Sequence, residues 1–127
     1  MPGASQGFHE ADAQLSSETK DLHRALVSLE EELEAIDWYR QRADATDNAA
    51  LKAVLLHNMG EEIEHACMML EWLRRHEPLF DKNLRTYLFK EQLITDIESA
   101  AEEKAADAQP SSTASRSGLT VGTLKGA

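Results

Sequence analysis

The sequence has 127 residues and is 42% hydrophobic, which is enough for one small domain with an apolar core. Its formal net charge of −10 leaves little basic surface to neutralise phosphates, so it argues against nucleic-acid binding and favours cations as ligands. The N-terminus lacks the basic and apolar regions of a signal peptide, and the apolar runs are too short to span a membrane. The single cysteine, Cys67, cannot form an internal disulfide. We therefore expect a cytoplasmic protein.

The composition changes along the chain and predicts four segments. Residues 1–16 are small and polar without a period, which predicts a flexible N-terminus. Residues 17–104 are rich in Ala, Leu, Glu, Lys and Arg with almost no Gly or Pro, so we expect one all-α domain there. Residues 105–118 predict a disordered linker of small residues, and apolar side chains return in residues 119–127.

Two long helices and a turn are predicted inside the helical domain. Thr46 or Asp47 can cap a new helix through a side-chain oxygen, which places a turn near residues 44–47 and predicts an antiparallel hairpin. A further break is expected at Pro78. Each helix carries an apolar stripe on one face. The stripes consist of Leu22, Ala25, Leu26, Leu29, Leu33 and Ile36 in the first helix and Leu51, Val54, Leu55, Asn58, Met69, Trp72 and Leu73 in the second.

Three polar residues interrupt these apolar stripes. At about 100° per residue, Glu62 and His65 fall inside the second stripe and Glu32 falls on the edge of the first. Glu32 and Glu62 both lie on the order of 20 Å from the turn, so they should face each other. The seam contains no Lys or Arg, and an unpaired charge buried there would be strongly destabilising. A structural Glu–His ion pair is one interpretation, and a hard cation such as iron or manganese bound by these side chains is the other.

This set of ligands is half of a known arrangement. A di-iron centre in a ferritin-like four-helix bundle uses one Glu from each of two helices and a Glu-x-x-His from each of the other two. Here one hairpin supplies only Glu32 and the pair of Glu62 and His65. Its apolar stripes are also too long for two helices to bury by themselves. Two copies packed antiparallel would remove both deficits, so we expect the hairpin to dimerise into a four-helix bundle with a shared site.

Residues from about 20 to 92 resemble the encapsulated ferritins. The segments that carry the resemblance are "HRALVSLEEELEAIDWY", "HNMGEEIEHACMMLEWLRR" and "LRTYLF". The resemblance implies a two-helix hairpin with a short third helix, a ferroxidase centre between two chains, and an annular decamer built from dimers. It also implies that dioxygen or peroxide oxidises Fe(II) to Fe(III) at this centre, while a surrounding shell stores the iron. A rubrerythrin-like di-iron enzyme that scavenges peroxide and a non-catalytic helical interaction module are the alternatives.

The same resemblance implies roles for individual residues. These are Glu32, Glu62 and His65 as iron ligands with Tyr39 beside them, Glu31 and Glu34 with Trp38 as an entry site for iron or other divalent cations, and His57, Glu61 and Glu64 as an outer metal site. The residues by themselves leave other interpretations open for the last two groups. An acidic run is typical of a solvated helix face, and His57 and Glu61 have the spacing of a surface hydrogen bond.

The last residues, "LTVGTLKG", resemble the cargo-loading peptides that direct enzymes into encapsulin nanocompartments. Leu119, Val121 and Leu124 would then enter apolar pockets on the inner wall of the shell, and the linker would act as a flexible tether. The resemblance therefore implies an encapsulin shell protein as a partner and a location inside the nanocompartment.

Overall fold

The computed structural model describes residues 7–108, and this part of the chain contains four α-helices and no strand. The helices are α1 (Ser17–Ala45), α2 (Ala49–His76), α3 (Pro78–Tyr87) and α4 (Ile94–Asp107), and a single 3₁₀ turn precedes them at Asp12–Gln14. The chain divides into two compact units, the first ending at Asp81 and the second beginning at Lys82. The predicted all-α class is confirmed.

The N-terminal end of α1 is fixed by a side-chain cap and by contacts from the preceding residues. The Ser16 hydroxyl accepts a hydrogen bond from the Thr19 N–H at 3.1 Å, as expected of an N-cap serine. Lys20 pairs with Asp12 at 3.0 Å, and the rings of Phe8 and His23 meet edge to face with centroids 4.8 Å apart. Within the segment predicted to be flexible, residues 7–16 thus contribute contacts to the first turns of α1.

The turn between α1 and α2 is capped by Asn48 and not by either predicted residue. The Asn48 side chain accepts a hydrogen bond from the Leu51 N–H at 2.9 Å. The Thr46 hydroxyl accepts one from the Asn48 N–H at 3.2 Å, so Thr46 stabilises the turn instead of capping the helix. This outcome agrees with the stronger N-cap preference of asparagine over threonine. The turn itself was predicted close to its observed position.

α1 and α2 pack against each other as the predicted hairpin, and small side chains form the seam. The buried side chains are Ala25 and Ala43 in α1 and Ala66 and Leu73 in α2. Alanines at the contact allow two helix backbones to approach closely. Other members of the predicted stripes, among them Leu26, Leu33, Leu51 and Val54, are exposed in the single chain. One hairpin therefore leaves apolar surface on both helices in contact with solvent.

A charged network holds the start of α3 to the end of α2. Pro78 opens α3, which confirms the predicted break and places proline where its missing N–H costs nothing. Arg74 donates two hydrogen bonds of 2.8 Å to Glu71 and one of 2.5 Å to Asp81, and Arg75 donates one of 2.6 Å to Glu71. Hydrogen bonds from Arg74 and then Arg75 lower the pKa of Glu71 to about 2.

The second unit contains the end of α3 and all of α4. The resemblance implied one short helix after the hairpin, whereas the structure has two, and α4 continues past Lys104 to Asp107. The connection between them places Phe89 in the left-handed region with φ of 60°, which favours glycine. No residue of α4 is buried.

Two further observations bear on the predicted segments. Among the described residues, no helix combines the length and the hydropathy that a membrane span requires. The predicted docking residues Leu119, Val121 and Leu124, and most of the predicted linker, lie outside the described residues.

Candidate metal centre

Glu32, Glu62 and His65 meet at one point between α1 and α2. One potential ligand atom from each side chain lies within 4.8 Å of the other two. His65 Nδ1 is 3.7 Å from Glu32 Oε2 and 3.5 Å from Glu62 Oε2. Within residues 7–108, groups of three or more His, Cys, Asp or Glu side chains close enough to hold one metal ion are represented by these three residues. The structure thus brings together the three residues that the sequence analysis selected.

The hairpin geometry explains why these three side chains converge. Glu62 and His65 are three residues apart on α2, so they project from the same face. Glu32 lies on α1 at a similar distance from the turn as Glu62, so the antiparallel packing brings it to the same level. Ala66, next to His65, is buried in the seam, and its small side chain keeps the two helices close at this level.

The cluster is only partly shielded from solvent in one chain. The side chains of Glu32 and Glu62 are each 24% exposed, and that of His65 is 47% exposed. The apolar stripes predicted a buried seam around the triad, and a single hairpin does not bury it. This half-open position leaves room for further ligands from outside the chain.

The electrostatics of the cluster are dominated by the two carboxylates. A hydrogen bond to Glu62 raises the pKa of Glu32, and desolvation and the charge of Glu62 add to the increase, while His65 acts in the opposite direction. Such an increase is what two neighbouring carboxylates produce, because both cannot be ionised at low cost. A cation between them would remove this repulsion.

The donor set and its spacing fit a transition metal with hard ligands. Metal–nitrogen and metal–oxygen bonds of about 2.1 Å allow two donors 3.5 to 3.7 Å apart to share one ion at an angle of roughly 110–125°. Both His–carboxylate separations meet this condition. They are also longer than good N–H···O hydrogen bonds, which lie near 2.9 Å. Carboxylate and imidazole ligands together suit iron and manganese.

A belt without basic residues surrounds the triad. α1 has no Lys or Arg between residues 25 and 39, and α2 has none between residues 53 and 73. The same stretches carry most of the acidic residues of the hairpin, including Glu30, Glu31, Glu34 and Asp37 on α1 and Glu61 and Glu64 on α2. Cations approaching the middle of the hairpin therefore meet a negative potential.

The predicted entry residues lie on α1, and one of them, Trp38, contacts an arginine whose role the sequence did not reveal. Glu31 and Glu34 are exposed, and Trp38 is about half exposed. The Arg42 guanidinium carbon lies 5.8 Å from the Trp38 ring centroid and 5.7 Å from that of Tyr39, which is half-buried. Arg42 follows Trp38 by four residues and Tyr39 by three, and this spacing on a helix is the signal that could have revealed the contact.

The predicted outer site is represented by one exposed pair. His57 Nε2 lies 3.5 Å from Glu61 Oε1, and the two side chains are largely solvent-exposed. In the described part of the chain, Glu64 does not join them in a cluster of three ligands. This chain therefore supplies two converging side chains at that position.

Comparisons with known proteins place this geometry in context. A family model described as EncFtn-like matches residues 7–91. The chain is 49% identical to an encapsulated ferritin-like protein of Rhodospirillum rubrum over 130 residues, which cover 99% of this chain and 93% of the relative. It is 50% identical to a ferritin-like protein of Thermotoga maritima over 91 residues, covering 72% of this chain and 80% of that protein.

Two further comparisons concern a cargo protein and a crystal structure. The chain is 33% identical to the encapsulin nanocompartment cargo protein EncC of Myxococcus xanthus, with 93% of this chain and 95% of the relative covered. The crystal structure of protein ne0167 from Nitrosomonas europaea is 55% identical and superposes with a TM-score of 0.68. That comparison covers 69% of this chain and 97% of the other.

Proposed function

The chain belongs to the EncFtn-like family, and from this membership and the geometry of the triad we propose that it is a ferroxidase. It oxidises Fe(II) to Fe(III) at a di-iron site that two copies share. The observation that carries the proposal is the convergence of Glu32, Glu62 and His65 in a belt without basic residues.

A shared site follows from what one chain lacks. One triad offers two carboxylates and one imidazole and is half open to solvent, so it can neither surround two ions nor exclude water. A second triad facing the first doubles every ligand and completes the Glu and Glu-x-x-His set of a ferritin-like bundle. Tyr39, on the same face as Glu32 and two turns along α1, would lie beside the ions.

Iron is the substrate, and the carboxylates favour its oxidised state. Two Fe(II) ions release two electrons, which reduce dioxygen with two protons to hydrogen peroxide, or reduce peroxide with two protons to two water molecules. Hard, anionic oxygen ligands stabilise Fe(III) more than Fe(II), so Glu32 and Glu62 lower the free energy of the product ions. Glu31, Glu34 and Trp38 would line the entry for Fe(II), while His57, Glu61 and Glu64 would bind metal on the outer face.

Assembly beyond a dimer is supported by a second apolar surface. On α1, Leu33 lies one residue after Glu32 and Leu26 lies six before it. On α2, Ile63 and Leu56 have the same spacings from Glu62. At about 100° per residue, these spacings turn all four side chains to the side of the hairpin away from His65. All four side chains are exposed. A hairpin with apolar surfaces on both sides can contact two copies at once, which favours the annular decamer implied by the encapsulated ferritins.

The proposed setting is an encapsulin nanocompartment in the cytoplasm. EncC, a relative along nearly its whole length, is a nanocompartment cargo protein. We infer that Leu119, Val121 and Leu124 dock this chain to a shell protein, and that the shell stores the Fe(III) that the enzyme supplies.

Rapid mixing of the apoprotein with Fe(II) in aerated buffer tests the ferroxidase proposal. Glu32→Ala, Glu62→Ala and His65→Ala should each reduce the initial rate of Fe(III) formation to the level of buffer, because each change removes a ligand twice from a symmetric site. Glu30→Ala, an exposed acid of the same run, is the matched control and should retain the wild-type rate. Wild-type rates in all three ligand variants would refute the proposal. Sustained peroxide consumption without accumulating Fe(III) would instead favour a peroxide-scavenging enzyme.

A further inference from the structure

The face of α2 that carries His65 also carries a row of side chains that runs toward the C-terminal end of the helix. Met68 is 62% exposed, and on the other side of His65 the row includes Val54, which is 56% exposed. Trp72 lies two turns beyond His65, and its ring stacks on that of His76 with centroids 4.0 Å apart and planes inclined by 16°. This row ends in a flat aromatic platform formed by Trp72 and His76.

The side of α1 that adjoins the triad carries a guanidinium group. Arg42 lies over the rings of Trp38 and Tyr39 at 5.8 and 5.7 Å. Among residues 7–108 no carboxylate pairs with Arg42, although the chain has a large excess of acidic residues. Arg42 is exposed, so its donors are available to a group from outside the chain.

The shared site determines how these two features face each other. α1 and α2 of one chain are antiparallel. A two-fold axis that lies between the two copies, passes through the site and crosses both helices at right angles reverses the direction of both. α2 of one copy then runs parallel to α1 of the second copy, with Glu62 and His65 level with Glu32. A residue of α2 therefore lies level with the residue about 30 to 33 positions earlier on α1 of the other copy.

This register places the platform level with the arginine, diagonally across the four-helix bundle. Subtracting the offset from Trp72 gives residues 39–42 on α1 of the second copy. At about 100° per residue, Arg42 is rotated by roughly 80° from Glu32, and Trp72 by roughly 80° from Glu62, each toward the side that faces the second copy. Arg42 of one copy and Trp72 of the other therefore lie at the same level along the helices, and both project toward the interface between the copies.

We propose that Arg42 of one copy packs on the Trp72–His76 platform of a second copy, at each end of the shared site. This inference rests on the proposed function, because it takes the two-fold axis from the shared site. Guanidinium groups bind to the faces of Trp rings, and such a contact becomes stronger when a subunit interface excludes water. The two contacts would fix the register in which the triads meet.

Chemical crosslinking of the full chain tests the register directly. In a Cys67→Ser background, the pair Arg42→Cys and Trp72→Cys should be joined between chains by a short bis-maleimide after Fe(II) is added without oxygen. The control pair, Arg40→Cys and Trp72→Cys, carries its α1 thiol on the opposite side of the helix and should give at least fivefold less crosslinked dimer. Equal yields from the two pairs would overturn the inference.

Intrinsic fluorescence provides a second measurement in variants with fewer changes. Trp38 and Trp72 are the two tryptophans of the chain, so Trp38→Phe leaves only Trp72 to report. Its emission should shift to shorter wavelength when Fe(II) is added without oxygen, and adding Arg42→Gln should weaken the dimer roughly 3- to 30-fold, whereas adding Arg40→Gln should not. An unchanged dimer constant in the Arg42 variant would contradict the proposed contact.

These results also separate the register from the ferroxidase proposal. Triad-dependent Fe(II) oxidation together with equal crosslinking of the two pairs would leave the function standing and reject the register. A monomeric protein that shows neither triad-dependent oxidation nor crosslinking above the control would reject both.

Discussion

Replacing Glu62 by the isosteric glutamine should change the stability of the protein in opposite directions with and without metal. In chelator, the variant should be as stable as the wild type or more stable by up to about 1 kcal/mol, because it removes repulsion between two partly exposed carboxylates. The raised pKa of Glu32, caused first by its hydrogen bond to Glu62, reflects the cost of holding both carboxylates together.

With metal present the order should reverse. Fe(II) supplied without oxygen at about 100 times its dissociation constant stabilises a protein that binds it only when folded by about 2.7 kcal/mol per site. The side chain of the Glu62→Gln variant is a neutral amide and a weaker ligand than a carboxylate, so the variant should gain little of this stabilisation. The wild type should then exceed the variant by roughly 2 kcal/mol after the gain in chelator is subtracted.

Urea unfolding followed by circular dichroism measures both differences in the same preparation. Glu30→Gln, a charge-matched change at an exposed position of α1, controls for the loss of one negative charge. A structural ion pair between Glu62 and His65 predicts the contrary pattern, in which Glu62→Gln destabilises the protein equally in chelator and in metal. That result would refute the interpretation of the triad as a metal site.

Four other outcomes are expected. Apoprotein in chelator should sediment as smaller species than protein supplied with Fe(II), because the facing carboxylates repel each other until a cation joins them, and identical masses would count against a shared site. Because hydrogen bonds from Arg74 and Arg75 lower the pKa of Glu71 to about 2, Glu71 should contribute stability that is fully present above about pH 4.5 and lost as the pH falls toward 2. Circular dichroism across this range should show that loss in the wild type and less of it in Glu71→Gln. Leu73→Ala should lower the free energy of unfolding in urea by about 2 to 5 kcal/mol, since Leu73 is the large side chain that the described hairpin buries completely. Leu79→Ala, at a largely exposed position, should lower it by less than about 1 kcal/mol. Deleting residues from Leu119 onward should leave Fe(II) oxidation intact and abolish co-purification with the shell, and normal packaging of the truncated chain would place the docking signal elsewhere.

The parts of the structure that depend on periodicity could be predicted from the sequence. The long run without Gly or Pro predicted the two helices, and the rotation of about 100° per residue placed Glu32, Glu62 and His65 in one seam. The direction in which a side chain projects from a helix and its distance from the turn depend only on residue spacing, so both follow from the sequence with small error.

The features that the sequence did not reveal depend on competition between neighbouring groups. Thr46, Asp47 and Asn48 are all capable caps, and only the path of the turn decides that Asn48 bonds to the Leu51 N–H. The contact of Arg42 with two rings depends on side-chain rotamers, and a long arginine has many of them. The exposure of the triad was also missed, because apolar stripes do not tell whether the same chain or another chain covers them.

The half-open triad connects assembly of the protein to its proposed chemistry. Each hairpin presents a belt that holds carboxylates and no basic residue, so two belts repel each other when they meet without metal. Val54 and Met68, exposed apolar side chains on the same side of α2 as His65, favour the same encounter. In the proposed dimer, Fe(II) would neutralise the repulsion at the point where the apolar surfaces come into contact, and two triads would surround the ions only there. The complete site would therefore form where iron is present, and a chain without iron would not expose a finished oxidation site to other metals.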